Sequence, residues 1–217
     1  MSQAVVLVLG FEPFAGESVN PAQEIARRLD GEIIDGHRLA GAVLPVEFAE
    51  APRALADLLD RHRPSLVVAL GQAGGRSEIA FERVAINLID ARIADNAGLQ
   101  PIDAPVLDGG AGAYFSTLPI KAMHACLLSL GIPSALSLSA GTFVCNQVFY
   151  WLCHLLANEH AQTPGGFIHV PWLPEQAALH PGEASLPLDT MLRGIRAAIE
   201  CALRTREDLH VAGGTTF

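Results

Sequence analysis

Ala135-Leu136-Ser137-Leu138-Ser139-Ala140-Gly141-Thr142-Phe143-Val144-Cys145-Asn146 is the stretch whose reading decides the fold. A short apolar run comes first, then small turn-forming residues, then a helical pattern that continues from Asn146 to His160. That order is a strand, a turn and a helix, the elementary step of an α/β chain. The turn delivers a cysteine to the helix start. There the positive end of the helix dipole favours thiolate, the nucleophilic form of the side chain.

The same alternation runs outward in both directions. Short β-branched or apolar runs at Val5–Leu9, Gly41–Val46, Leu66–Leu70, Val84–Ile89, Ala135–Leu138 and Gly166–Val170 are expected strands. Amphipathic stretches at Pro21–Leu29, Glu47–Arg63, Thr117–Leu130, Asn146–His160 and Pro187–Leu203 are expected helices. Pro21 and Pro187 suit a first helical turn, where the missing N–H has no partner to lose. Gly131 followed by Pro133 suits a helix stop. The Asp-, Pro- and Gly-rich stretch from 91 to 112 reads as a long ordered loop, and residues 211–217 as a mobile tail. With no internal repeat and no linker, residues 1–217 read as a single α/β domain with a largely parallel sheet.

Composition limits the function. Half of the 217 residues are hydrophobic and only 17% are charged, enough to bury roughly 70–75% of the unfolded surface without disulfides or metal. A net charge of −9 opposes nucleic acid or an anionic membrane as partner. The apolar run at Ala4–Leu9 is too short for a signal-peptide core or a membrane span. Four cysteines without a CxxC pair read as reduced cytosolic thiols, which gives a cytoplasmic expectation.

Three residues stand in distinctive settings. Cys145 opens a helix, although a free cysteine is commonly a small buried hydrophobe. His169 lies at the end of the apolar strand Gly166-Phe167-Ile168-His169-Val170, where open α/β sheets bind ligands. Glu82 precedes Arg83 between the loop Gly71-Gln72-Ala73-Gly74-Gly75 and a strand; a surface ion pair is the plainer reading of the two. The glycine-rich loop lacks both the P-loop Lys-Ser/Thr and the dinucleotide spacing. Cys153, His154 and His160 lack zinc-ligand spacing, so no metal and no cofactor is expected.

Six segments together resemble the pyroglutamyl peptidase I family, also called pyrrolidone carboxyl peptidase. They are Gly10-Phe11-Glu12-Pro13-Phe14 with Asn20-Pro21, Gly71-Gln72-Ala73-Gly74, Glu82 to Asn87, Asp90 to Asn96, Ser139 to Asn146, and His169-Val170-Pro171. The resemblance implies a twisted central sheet flanked by helices, of the phosphorylase- or hydrolase-like kind. It also implies cysteine exopeptidase activity that removes an N-terminal pyroglutamyl residue, no cofactor, and a homotetramer. By position it places Cys145, His169 and Glu82 in the catalytic triad. The ring-binding pocket would draw on Phe11, Phe14, Asn20, Gln72, Ile93, Phe143 and Val144, with Arg92 beside it. Leu9, Ala15, Ala80 and Ala94 depart from the residues usual in the family.

The implied substrate is a neutral five-membered lactam with one N–H, one ring carbonyl and an apolar body. Phe11 and Phe14 would sandwich the ring, while Gln72 and Asn20 would meet its polar edge. The Cys145 thiolate would attack the carbonyl joining ring and peptide, with His169 moving the proton and Glu82 orienting the imidazole. The backbone N–H of Cys145, with Arg92, would meet the oxyanion. Two other functions fit an α/β chain of this kind: a nucleoside phosphorylase-like enzyme, or a non-catalytic pyroglutamyl-binding protein.

Overall fold

The computed structural model of the chain describes residues 3–214. In chain order the elements are β1 (Val5–Phe11), α1 (Pro21–Leu29), β2 (Ile33–Ile34), β3 (His37–Leu44), α2 (Ala51–His62), β4 (Leu66–Gln72), β5 (Ile79–Glu82), β6 (Val84–Ile86) and β7 (Ala113–Phe115). They continue with α3 (Ile120–Ser129), β8 (Ser134–Ser137), α4 (Val144–Asn158), β9 (Gly165–Val170), α5 (Pro174–Ala177) and α6 (Leu188–Arg204). Seven strands make the central sheet in the order β2-β3-β1-β4-β9-β5-β8. β3, β1, β4 and β9 run parallel, whereas β5 turns antiparallel to β9 and parallel to β8. The fold is therefore α/β with a mostly parallel sheet, as expected from the alternating pattern.

Strand alternation sorts the core into two layers. Val6 and Val8 of β1 share one core layer with Ile25 of α1, Met123 of α3 and Ile195 of α6. Leu7, Leu9 and Phe11 point the other way, toward Leu55 of α2 and Val148 and Phe149 of α4. Helices thus cover both faces, which buries the central strands almost completely and explains their near-continuous apolar sequences.

The differences from expectation have local causes. β5 is a strand where a loop was expected around Glu82. It is only four residues long and is buried throughout, so it shows no alternating pattern to read. Val84–Ile89 yields only β6, which leaves the main sheet and pairs with β7. β2 and β7, two and three residues long, and the one-turn α5 also escaped the sequence reading. Pro187 precedes α6 as its cap residue instead of sitting in its first turn, while Pro21 takes the expected first-turn place in α1. Of the expected mobile tail, residues 215–217 lie outside the described residues. Val211, the first residue of that tail, accepts a hydrogen bond from Lys121 Nζ at 2.6 Å.

Candidate active site

The alternation that builds the core also aims the chemistry. His169 points to the same side of β9 as Phe167, toward α4, because residues two apart share a face. On β5 the register pairs Ala80 with His169 and Glu82 with Phe167. Glu82 and His169 are therefore diagonal neighbours on one face, a spacing that long side chains bridge. They do: His169 Nδ1 lies 2.7 Å from Glu82 Oε1. Glu82 is fully buried and His169 is 4% exposed. A carboxylate only accepts, so in the neutral ring Nδ1 carries the proton and Nε2 keeps the lone pair.

Cys145 is the second residue of α4. The turn before it is built by side chains. Ser139 Oγ accepts from the Gly141 N–H at 3.1 Å, Gly141 takes φ +77°, and Thr142 Oγ1 donates to the Asp90 carbonyl at 2.8 Å. The next residue, Asn146, is buried and clasps β6 from the helix, accepting from Ile86 N–H and donating to the Ile86 and Leu88 carbonyls. Gly71, paired with His169 in the β4–β9 register, leaves room for the sulfur. A Cβ there would stand 2.8 Å from the Phe167 ring and 3.0 Å from Cys145 Sγ, too close for either.

Cys145 and His169 line one cavity of about 340 Å³ at the carboxyl ends of β4 and β9. Phe14, Ile93 and Phe143 give it apolar walls, and Gln72, Arg76 and Arg92 give it polar ones. Phe143 is braced by Phe14 at 6.1 Å and edge-on by Phe48 at 5.2 Å, measured between ring centroids. A larger hollow of about 580 Å³ lies at the opposite ends of the strands. Its lining includes His37, Arg206 and Asp208 but no cysteine, so it offers no thiol nucleophile and the smaller cavity is the candidate site.

Three expected pocket residues are placed elsewhere. Phe11 is 2% exposed and packs on Phe167 at 6.1 Å, because the parity of β1 turns it into the core with Leu7 and Leu9. Val144 is likewise in the core, as the first residue of α4. Asn20 caps α1: its Oδ1 accepts from Ala22 N–H and its Nδ2 donates to the Glu12 carbonyl, each at 3.0 Å. Its amide is spent on the fold. The aromatic pair in the cavity is Phe14 with Phe143, not Phe14 with Phe11.

The electrostatics of the thiol also differ from expectation. Burial pushes Cys145 up to about 12, and the Glu82 carboxylate pushes the same way. The Arg76 cation and the residue's own backbone N–H pull down, but less. Desolvation outweighs the helix start, and the resting sulfur is a thiol at neutral pH.

Arg76 escaped the sequence reading. Its Nη1 donates to Glu82 Oε1 at 2.8 Å and its Nη2 to the Ser139 carbonyl at 3.2 Å, tying the buried carboxylate to the cysteine turn. Gln176 escaped it too; its Nε2 donates to Gln72 Oε1 at 3.0 Å behind the pocket wall. The available signal was weak in both cases: the nearest cation before Glu82, and a glutamine soon after His169-Val170-Pro171. Among the described residues, no three His, Cys, Asp or Glu side chains gather as a metal site, and no helix is long and apolar enough to cross a membrane.

A thiol and an imidazole lining one cavity at the carboxyl ends of β4 and β9, with a buried carboxylate bonded to the imidazole, fit the class of cysteine hydrolases. A model of the pyroglutamyl peptidase family matches residues 4–205, and the chain belongs to that family. Its members remove N-terminal pyroglutamate, and this chain is a cysteine peptidase of that kind. It is 55% identical to pyrrolidone-carboxylate peptidase 1 of Ralstonia nicotianae, over 96% of this chain and 97% of the relative. It is 52% identical to the pyrrolidone-carboxylate peptidase of Klebsiella pneumoniae, over 98% and 99%. Pyroglutamyl peptidase I from Bacillus amyloliquefaciens has the same fold, with a TM-score of 0.93 at 40% identity, covering 98% of this chain and all of that one. Pyrrolidone carboxyl peptidase from Pyrococcus furiosus aligns with a TM-score of 0.90 at 43% identity, over 92% and 98%. Neither the phosphorylase-like nor the non-catalytic alternative finds support in these likenesses.

Proposed function

We propose that Cys145 is the nucleophile, His169 the proton carrier and Glu82 the orienting acid in the hydrolysis of N-terminal pyroglutamyl peptides. The observation that carries this reading is the 2.7 Å contact of His169 Nδ1 with the buried Glu82, with His169 and Cys145 on one cavity wall. Because the resting thiol is protonated, the sulfur loses its proton to His169 Nε2 as it attacks the carbonyl between ring and peptide. The S–C bond forms, the carbonyl π pair moves onto oxygen, and the charge on His169 is met by Glu82. The oxyanion faces the first-turn N–H of Cys145, which has no partner inside the helix, with Arg92 nearby. As the C–N bond breaks, His169 returns the proton to the departing amine and a thioester remains. Water, deprotonated by the same imidazole, then releases pyroglutamate and restores the thiol.

The lactam body would lie against Phe14, Ile93 and Phe143, with Gln72 at its polar edge. An uncyclised N-terminal glutamate would carry two charges into this apolar space at a large desolvation cost. We further propose that the protein works in the cytoplasm as a homotetramer without cofactor, in keeping with its unpaired cysteines and its family. The test is amine release from a pyroglutamyl amide before and after treatment with a thiol alkylator. Release abolished in step with labelling of Cys145 is the expected result. Release that survives complete labelling of Cys145 contradicts the assignment.

A further inference from the structure

Gln176 is 2% exposed, yet it touches three separate chain segments. Its Oε1 accepts from the Leu173 N–H at 3.1 Å. Its Nε2 lies 3.0 Å from Glu17 Oε2, 3.2 Å from the Val19 carbonyl and 3.0 Å from Gln72 Oε1. The orientation of this amide follows from its partners. A backbone N–H can only donate, and a carboxylate and a carbonyl can only accept. Glu17 is ionised, since the Gln176 amide and the His180 ring beside it hold its carboxyl below the usual value. His180 Nε2, at 3.0 Å, also occupies the other oxygen of Glu17.

With Gln176 fixed in this sense, Gln72 has one choice. It must turn Oε1 toward Gln176, so its NH₂ group is the one left for the cavity it lines. A donor at that point recognises an acceptor. On a pyroglutamyl ring the acceptor is the ring carbonyl, which a prolyl ring lacks.

We propose that Gln176 is a positioning residue: it locks Gln72 as a hydrogen-bond donor to the lactam carbonyl and so sets the site against prolyl peptides. The inference rests on the function proposed above. Gln176→Glu tests it, because a carboxylate in place of the amide turns the NH₂ group of Gln72 away from the cavity. It also sets a second negative charge beside Glu17, so stability is expected to fall. The double variant Gln176→Glu with Glu17→Gln removes that repulsion while leaving an acceptor facing Gln72.

KM and kcat for a pyroglutamyl amide, with the unfolding temperature, are measured for wild type and both variants. The expected result is a KM raised about tenfold or more in both variants, with kcat changed far less and the unfolding temperature recovered only in the double variant. If the single variant does not fold, the double variant carries the test alone. A KM that returns to the wild-type value along with the unfolding temperature overturns the positioning role, as does an unchanged KM in either variant. Absence of turnover by the wild-type protein overturns the function itself, and the positioning with it.

Discussion

At Cys145 two effects oppose each other. The helix start and Arg76 stabilise a thiolate, while burial and the Glu82 carboxylate destabilise it, and the second pair wins. The sulfur therefore waits as a thiol, and in the proposed mechanism it is activated when His169 takes its proton. Because the thiol sits near 12, the thiolate fraction grows about tenfold per pH unit throughout the neutral range. Alkylation of Cys145 by iodoacetamide, followed on the peptide that contains it, should rise steadily from pH 7 to 9. A plateau below pH 8 would show instead a thiolate already formed at rest. Arg76 is the other decisive single residue. It keeps company with a carboxylate that has no access to water, and without it that charge would face only His169.

Among the elements, the long loop from 91 to 112 depends on one buried aspartate. Asp95 accepts from the Phe48, Ala97 and Leu99 N–H groups at 2.8 to 3.0 Å. Asn96 adds a bond to the Pro13 carbonyl at 3.0 Å, joining this loop to the segment that carries Phe14. The loop thereby presents Ile93 and Arg92 to the cavity. Asp95→Ala strands the buried Phe48 N–H, at about 1–3 kcal/mol. The unfolding temperature should fall by roughly 2–4 °C for each kcal/mol lost. KM for a pyroglutamyl amide should rise with it, as one cavity wall loosens. An unchanged unfolding temperature and KM would remove Asp95 from this role. β5 teaches a related lesson: four residues with no pattern of their own supply the buried carboxylate that bonds His169, because the antiparallel register with β9 sets Glu82 diagonal to it.

Across the whole molecule, the long elements were legible because period and length agree. Pro21–Leu29 is the clearest, since its proline marks its start and its amphipathic period fills its length. Short pieces such as β2, β7 and α5 carry too few residues for a period to register. The site was partly legible: Glu82 bonds His169, and Cys145, His169, Phe14, Gln72, Arg92, Ile93 and Phe143 line one cavity. Phe11, Asn20 and Val144 could not be separated from them by sequence. Which side of a strand a phenylalanine faces, or whether an asparagine is spent on a cap, depends on register and on the partners that folding supplies. In the proposed mechanism the chemistry of the cavity at the carboxyl ends of the parallel strands passes through one sulfur atom. Its most direct test is the turnover of a pyroglutamyl amide by Cys145→Ala, with folding verified by an unfolding temperature close to that of the wild type. The account predicts amine release by the wild type and none above background by the variant; turnover near the wild-type rate in the folded variant would contradict it.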